Sequence, residues 1–422
     1  MATWTAEVFE NEYLAADATD VHAIVSVGCT GAGAAGQSGD AAEVIIVDTS
    51  GSMSQPHAKI AAVRKAAAEA VGDIVDGTWF AVVAGNHKAM SAFPPRGGMV
   101  RATEITRSQA EEAVRHLEPS GGTAIGSWLR AAIALFGSVE AAQSHAILLT
   151  DGRNETEAPG DLHAAVQAAT GLFQCDCRGV GADWDVNELR GISSALLGSV
   201  DIIAEPEKMA EDFRQMMQAS MARGVADAKL RIWAPQGAEV LFVRQVAPAI
   251  EDLTSRSTSV SALVREFPTG SWSDESRDYH VAVRVPAKPL GSEQLAARVQ
   301  LIVAGEVVAQ GLVRATWSDD STLTTRINPA VAHYTGQAEL ADAIQEGLAA
   351  KAAGDDTTAT LKLGRAAKLA AETGDEEATN KLKRVVDIAD ADTGTVRLKR
   401  DVSKLDEMAL DTSSTKTTRV KR

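Results

Sequence analysis

The chain has 422 residues with 41 basic and 57 acidic side chains, a net charge of −16 at pH 7. This length predicts two or three domains, and the acidic balance argues against a nucleic-acid-binding protein. Residues 1–13 lack a signal-peptide pattern, and no run approaches the roughly 20 apolar residues of a membrane span. Three cysteines are too few for a disulfide framework. A cytoplasmic protein without a membrane segment is therefore expected.

The N-terminal residues have the pattern of β-strands. Apolar and polar residues alternate between Val21 and Val27, which predicts strands within residues 7–29. Residues 30–42 are rich in Gly, Ala and Ser and are typical of a linker. The strands within residues 1–40 have no obvious partner in the sheet predicted after them, and we expect them to pair with a later β-domain.

A short apolar run follows and ends abruptly in polar residues. Val44 to Val47 is typical of a strand buried on both faces, and Asp48, Ser50 and Ser52 come directly after it. In an open α/β sheet, ligands bind beyond the carboxyl ends of the strands. Three oxygen-bearing side chains at that place suit a hard cation such as Mg²⁺ or Mn²⁺.

Residues 41–225 alternate between predicted strands and helices. This order predicts an α/β domain with a doubly wound, mainly parallel sheet. Two further polar positions lie at element boundaries of this domain. Thr123 follows Gly121-Gly122 at the start of a helix, and Asp151 ends a second apolar strand that begins near Ala146.

The pattern Asp48-x-Ser50-x-Ser52, followed by Thr123 and Asp151, resembles the metal-ion-dependent adhesion site of von Willebrand factor A (integrin I-like) domains. The resemblance implies that the three hydroxyl groups contact a divalent cation directly and that the two acids act mainly through water. It implies Mg²⁺, with Mn²⁺ or Ca²⁺ as alternatives. It also implies that an Asp or Glu of a partner protein completes the coordination.

Two other functions are weighed against metal-dependent adhesion. The first is a metal-dependent hydrolase that uses Ser52 or His57, which are close in sequence. The sequence lacks the Cys-x5-Arg, Gly-x4-Gly-Lys-Ser and His-Glu-x2-His patterns of common hydrolases, which disfavours this alternative. The second is a structural scaffold with a vestigial site.

Trp184 lies in the loop 181–185, after a predicted strand of the same sheet. Trp is enriched at protein interfaces, so Trp184 is a candidate for partner binding. The alternative is a Trp that packs under its own loop.

The remaining chain changes pattern twice. Residues 226–320 contain strand-like runs separated by Pro and Gly, which predicts a β-sandwich-like domain. Residues 329–389 have apolar residues at helical spacing and predict a helical hairpin. Residues 390–422 are polar with mixed charge, and a disordered tail is expected there.

The predicted tail contains threonines with an aliphatic residue three positions later. Thr395 with Leu398 and Thr417 with Val420 resemble ligands of phosphothreonine-reading forkhead-associated domains. Thr395 and Thr417 are therefore candidate phosphorylation sites, and the alternative is a solvated low-complexity terminus.

The chain as a whole resembles uncharacterised actinobacterial A-domain proteins. The resemblance implies association with Ser/Thr kinases, PP2C-type phosphatases and forkhead-associated proteins. The resulting prediction is a bacterial, non-enzymatic adaptor in a cytoplasmic phosphorylation or stress-signalling assembly, with no nucleic-acid or membrane partner.

Overall fold

A computed structural model describes residues 2–32, 40–55 and 57–420. The chain divides into two compact units, residues 32–226 and residues 2–31 with 227–422, which are called unit 1 and unit 2. The linker predicted over residues 30–42 falls mainly on residues 33–39, which lie outside the described residues. In the described ranges, no helix is both long enough and apolar enough to cross a membrane.

The chain begins with three strands of unit 2, β1 (Thr3–Glu10), β2 (Tyr13–Leu14) and β3 (Asp20–Thr30). Unit 1 follows with β4 (Ala41–Asp48), α1 (His57–Gly72), β5 (Trp79–Gly85), β6 (Ala89–Phe93), β7 (Val100–Arg101), α2 (Glu104–Arg115), α3 (Ile125–Phe136), β8 (Gln143–Thr150), α4 (Pro159–Ala169), β9 (Gln174–Val180), α5 (Val186–Ala195), β10 (Val200–Ile203) and α6 (Met209–Met221).

The strands of the C-terminal part are β11 (Val225–Trp233), β12 (Glu239–Ala247), β13 (Glu251–Asp252), β14 (Thr258–Ser261), β15 (Val264–Trp272), β16 (Ser276–Arg284), β17 (Glu293–Val303), β18 (Glu306–Trp317), β19 (Val386–Asp390) and β20 (Thr395–Leu398). Its helices are α7 (Ser321–Thr324), α8 (Pro329–Ala352), α9 (Asp356–Thr373), α10 (Glu376–Val385) and α11 (Lys404–Ser413).

Unit 1 is built on one sheet with the strand order β10-β9-β8-β4-β5-β6, and β7 also pairs with β5. The strands from β10 to β5 are parallel, whereas β6 and β7 are antiparallel to β5. The predicted doubly wound, mainly parallel α/β fold is confirmed. The chain continues from β4 to β5 on one side, and later adds β8 on the other side of β4. The order in which strands are added therefore reverses between β4 and β8, and α/β proteins bind ligands at such a switch point.

Helices cover both faces of this sheet. Helices α1, α2 and α6 share an apolar core with Ile45 and Val47 of β4, both fully buried. Helix α3 packs against β4 and β5, α4 packs against α3, and α5 packs against β9. A strand buried on two faces must be apolar throughout, which explains the uninterrupted run from Val44 to Val47.

Unit 2 contains a five-stranded sheet, β1-β3-β16-β12-β13, and a six-stranded sheet, β14-β15-β11-β17-β18-β2. Trp4 of β1 lies against Trp272 of β15, with the ring centroids 5.2 Å apart. The N-terminal strands, for which the sequence predicted a partner in the later domain, lie beside β16 and β18. The sandwich is therefore assembled from two segments that are far apart in the chain.

Helices α8 and α9 form an antiparallel pair in unit 2, and α10 and α11 pack with them around a shared apolar core. The structure differs from the sequence analysis over residues 390–422, which it predicted to be disordered. Strand β20 pairs with β19, and Val396 and Leu398 pack against the helical core. Their alternation with polar residues is the two-residue period of a half-buried strand, a signal that the polar composition of this segment obscured.

The described part of the chain beyond α11 is also ordered against the five-stranded sheet. Thr417 N donates to Pro248 O, and Thr417 Oγ1 donates to Val246 O at 2.6 Å. Two residues later, Arg419 donates two hydrogen bonds to Asp278, which is 2% exposed. Asp278 also accepts hydrogen bonds from Ser26 and Tyr334. Burial by itself would raise the pKa of Asp278, but hydrogen bonds from Arg419, Ser26 and Tyr334 outweigh it and lower the pKa.

Replacing Arg419 by alanine is expected to destabilise unit 2 by about 1–3 kcal/mol, because Asp278 would remain buried without its positively charged partner. Hydrogen exchange of peptides from β3 and β16 would measure the effect. Arg400→Ala, an exposed position in the same C-terminal region, serves as the control and should change stability by less than about 0.5 kcal/mol. Equal exchange in both variants would contradict the structural role of Arg419.

Candidate metal centre

The site begins where β4 ends. Asp48 is the last residue of β4 and is fully buried. Its Oδ1 accepts a hydrogen bond from Ser50 N at 2.7 Å, and its Oδ2 accepts one from Thr150 Oγ1 at 2.6 Å. The carboxylate therefore ties the loop after β4 to the last residue of β8, in the interior of the site.

A chain of short contacts beside Asp48 joins two serines to the other acid of the site, Asp151. Ser50 Oγ lies 2.8 Å from Ser52 Oγ, and Ser52 Oγ donates to Asp151 Oδ1 at 2.6 Å. The other carboxylate oxygen of Asp151 accepts a hydrogen bond from Lys59 Nζ at 2.5 Å. Side chains from the β4 loop, the start of α1 and the end of β8 thus meet at one place.

Thr123 joins the same cluster from the loop that precedes α3. Its side chain is buried and lies close to Gly152, the residue after Asp151. A Cβ atom on Gly152 would lie 3.1 Å from Thr123 Oγ1 and 3.7 Å from Ser52 Oγ. The absence of a side chain at Gly152 leaves space between these two hydroxyl groups.

Backbone hydrogen bonds connect the loop after β4 to the loop that precedes α3. Ser120 N donates to Thr49 O at 2.7 Å, and Gly51 N donates to Gly121 O at 2.8 Å. Gly121 has a φ of +73°, a left-handed conformation that glycine adopts without strain. The double glycine of the sequence motif therefore brings its loop close enough to pair with the β4 loop.

The third loop, residues 151–158, is bound to the start of α3. Asn154 Oδ1 accepts from Ile125 N at 2.8 Å, and Glu157 Oε1 accepts from Gly126 N at 2.6 Å. Thr123 O accepts from the backbone N–H groups of residues 155 and 156. These contacts satisfy free N–H groups of the helix N-terminus and fix Thr123 relative to Asp151.

The acids of the site lie in a poorly solvated environment. Burial raises the pKa of Asp48 to about 6, and the nearby Asp151 adds to the rise, although hydrogen bonds from Ser50 and Thr150 oppose it. Asp151 is fully buried as well. Asp151 is paired with Lys59, but the hydrogen bonds that Asp48 accepts from Ser50 and Thr150 come from neutral groups. The buried Asp48 therefore favours a cation, because burial of unpaired negative charge is costly.

The donor set fits a hard divalent cation. The five residues offer only carboxylate and hydroxyl oxygens, which are ligands of Mg²⁺, Mn²⁺ and Ca²⁺. A positively charged group, the Lys59 ammonium, already contacts Asp151. Across residues 2–32, 40–55 and 57–420, no group of three or more His, Cys, Asp or Glu side chains is arranged to hold a metal ion. A metal at this cluster would accordingly depend on its hydroxyl groups.

The other candidate residues lie elsewhere. The expectation that Trp184 is an exposed partner contact is wrong, because its side chain is 1% exposed and its Nε1 donates to Gly181 O at 2.9 Å. Thr395 is exposed but belongs to strand β20, not to a disordered tail, and Thr417 is half-buried with its hydroxyl bound to Val246 O. His57 is exposed at the start of α1.

Three residues that support the site were not predicted from the sequence, namely Lys59, Asn154 and Glu157. One local signal pointed to Lys59, since a lysine in the first turn of a helix is disfavoured by the positive end of the helix dipole. Such a residue needs a compensating tertiary contact. Asn154 and Glu157 carry no comparable signal, because the residues that they cap come about 30 positions earlier in the chain.

The comparisons with known proteins agree with this fold. The family model of the von Willebrand factor type A domain matches residues 42–202, and that of the von Willebrand factor type A C-terminal domain matches residues 368–414. A solved structure, von Willebrand factor type A from Catenulispora acidiphila, is 46% identical, covers 99% of this chain and is itself covered to 97%, with a TM-score of 0.94. This chain belongs to the von Willebrand factor type A family. Domains of this family are metal-dependent adhesion and interaction modules and generally not enzymes.

More distant structures share the fold of this von Willebrand factor type A protein. The ArnB paralog VWA2 from Sulfolobus acidocaldarius is 14% identical, with a TM-score of 0.60 and 98% coverage of both chains. The human COPII-coat protein Sec24c is 10% identical, with a TM-score of 0.55 over 90% of this chain and 58% of that chain. Among curated proteins, none matches the chain significantly.

Proposed function

We propose that this protein is a non-enzymatic, metal-dependent interaction module that binds a partner protein through a divalent cation. The observation that carries the proposal is the convergence of five oxygen-bearing side chains from three loops at the carboxyl ends of β4 and β8. Membership of a family of metal-dependent interaction modules supports it.

In this proposal the hydroxyl groups of Ser50, Ser52 and Thr123 hold the cation directly, and Asp48 and Asp151 hold it through water. Mg²⁺ is the proposed ion, with Mn²⁺ or Ca²⁺ as alternatives. The cation would supply an open coordination position and positive charge. Neutral hydroxyl ligands leave that charge largely uncompensated, which favours an Asp or Glu carboxylate of a partner protein.

The hydrolase alternative has less support from the site. In the described residues the Ser52 hydroxyl bonds to Ser50 and Asp151, whereas His57, the base that this alternative names, is exposed at the start of α1. A vestigial site is the other alternative, and metal binding distinguishes it from the proposal.

Asp48→Ala is expected to abolish Mg²⁺ binding measured by isothermal titration calorimetry. Thr123→Ala is expected to weaken it by about tenfold or more, since even the loss of an outer-shell partner costs about 10–100-fold. The matched control is Asp183→Ala, which removes an exposed acid from a neighbouring loop and should bind Mg²⁺ as the wild type does. A wild-type protein that shows neither Mg²⁺ nor Mn²⁺ binding, with no metal-dependent gain in melting temperature, would favour the vestigial site.

Partner capture gives the second readout. Under the proposal, a pull-down with the wild type is lost on addition of EDTA and is absent for Asp48→Ala. Catalytic turnover that disappears in Ser52→Ala or His57→Ala would instead support the hydrolase.

The cellular setting is proposed from the whole-chain resemblance alone. It comprises a cytoplasmic phosphorylation or stress-signalling assembly with Ser/Thr kinases, PP2C-type phosphatases and forkhead-associated proteins. Phosphorylation of Thr417 would require its segment to leave the five-stranded sheet, because the hydroxyl is bound to Val246 O. Thr395 is the more accessible of the two proposed sites.

A further inference from the structure

Lys59 occupies an unusual place for a lysine. It is the third residue of α1, in a first turn that contains no acidic residue. Its side chain is 12% exposed, and its Nζ lies 2.5 Å from Asp151 Oδ2. The ammonium is thus held inside the site by the acid that would face a metal.

The charges of the site explain why a lysine is held there. Asp48 and Asp151 are both fully buried, and the other site residues are neutral hydroxyls. Asp48 receives hydrogen bonds from neutral groups, Ser50 N and Thr150 Oγ1. Among the ion pairs of the described ranges, the one that Asp151 forms is with Lys59. The ammonium therefore supplies positive charge that a buried acid needs when no metal is bound.

We infer that Lys59 is an internal competitor of the divalent cation. The ammonium compensates Asp151 in the metal-free protein and must give up part of this contact when the cation binds. This inference rests on the proposed function. The positive charge of Lys59 has two opposite consequences, since it stabilises the metal-free loops and lowers the affinity of the site for the metal. A lysine at this place keeps the site assembled without metal, at the cost of weaker metal binding.

Lys59→Met tests the inference, because methionine keeps an unbranched side chain of similar length without the charge. The Kd for Mg²⁺, measured by isothermal titration calorimetry on the full chain, is expected to fall by about tenfold or more, since a unit charge a few ångströms from a divalent ion repels it appreciably. In EDTA, Lys59→Met should melt below the wild type, and saturating Mg²⁺ should raise its melting temperature by more than it raises that of the wild type.

Two further variants serve as controls. Lys59→Arg keeps the charge and should leave the Kd within a few fold of the wild type. Lys65→Met removes a lysine of the same helix whose side chain is 70% exposed and pairs with Glu69, and it should change neither the Kd nor the melting temperature. If Lys59→Met does not fold in EDTA, recovery of the fold on addition of Mg²⁺ supports the inference, and failure to recover contradicts it.

The possible outcomes separate the inference from the proposed function. If the wild type binds Mg²⁺ and Lys59→Met binds it equally or more weakly, the inference is wrong and the proposed function stands. If Lys59→Met binds Mg²⁺ and the wild type does not bind it at millimolar concentration, competition is supported, but the wild type then lacks the metal binding on which the proposed function depends. If neither protein binds Mg²⁺ or Mn²⁺, the proposed function fails and the inference fails with it.

Discussion

Replacing His145 by leucine is expected to lower the free energy of unfolding of unit 1 by about 3–5 kcal/mol, because it leaves two buried acids without their shared partner. His145 Nδ1 lies 2.8 Å from Glu43 Oε2, and its Nε2 lies 2.9 Å from Asp176 Oδ2. All three side chains are at least nine-tenths buried. The imidazole therefore bridges carboxylates of the two strands that flank β8.

The pH dependence of stability gives this prediction a definite sign. Burial by itself would lower the pKa of His145, but Glu43 and Asp176 outweigh it and raise the pKa. Since the folded pKa exceeds the ordinary value of 6.5, the stabilisation is complete below about pH 6.5 and is lost as the pH rises through the folded pKa. As the pH rises from about 6.5 through the folded pKa of His145, the free energy of unfolding of the wild type should fall, and that of His145→Leu should not.

Hydrogen exchange of peptides from β4, β8 and β9, corrected for the intrinsic exchange rate at each pH, would measure both effects in this sheet. His163→Leu is the matched control, because His163 is exposed on α4 and its loss should cost less than about 0.5 kcal/mol. If His145→Leu changes neither the exchange nor its pH dependence, the charge pairing of His145 is refuted.

Replacing Trp184 by alanine is expected to destabilise unit 1 by about 3–5 kcal/mol through the cavity that it leaves. Trp184 is 1% exposed, and its ring lies over Gly179 of β9. A Cβ atom on Gly179 would lie 1.9 Å from the ring, so Gly179→Ala should also destabilise this region. Both losses follow from one tight contact between the loop and β9.

A double-mutant cycle separates this contact from unrelated damage. Once Trp184 is removed, a Cβ atom on Gly179 has space, so the double variant should be less destabilised than the sum of the single variants. Hydrogen exchange of β9 would provide the free energies, and Leu172→Ala, which is 52% exposed, is the control. Strictly additive effects would show that the two residues are not coupled.

The Trp184 result also bears on function. A buried Trp184 is a packing residue, so weaker partner capture by Trp184→Ala should accompany loss of folding. The sequence left packing under its own loop as an alternative to partner binding, because a single Trp beside Gly181 is compatible with both. The burial of the ring and its close approach to Gly179 distinguish them.

Local patterns made the α/β unit and the candidate metal ligands predictable. Strands buried on two faces are apolar throughout, and polar residues that follow them lie at the edge of the sheet where ligands bind. Asp48 and Asp151 were found in this way, and Thr123 was found through the family resemblance. These signals require only a few neighbouring residues.

The ordered structure of residues 390–420 was not predicted, because it depends on contacts with residues far away in sequence. Val396 and Leu398 gain their stability from the core of α8, α9 and α10. Arg419 pairs with Asp278, 141 positions earlier in the chain. A short polar segment cannot bury enough apolar surface by itself, and composition alone therefore indicated disorder.

The sequence by itself determined the alternation of strands and helices, the five candidate metal ligands and the family. These features are encoded by hydrophobic periodicity and by short motifs, which act within one element and its adjoining loop. The tertiary structure decided which charges meet. Asp151 faces Lys59 from 92 positions away, and His145 lies between Glu43 and Asp176, because strand order brings β8 between β4 and β9. Electrostatic pairing depends on distance in space, and only the packing of strands and helices in the folded unit fixes that distance.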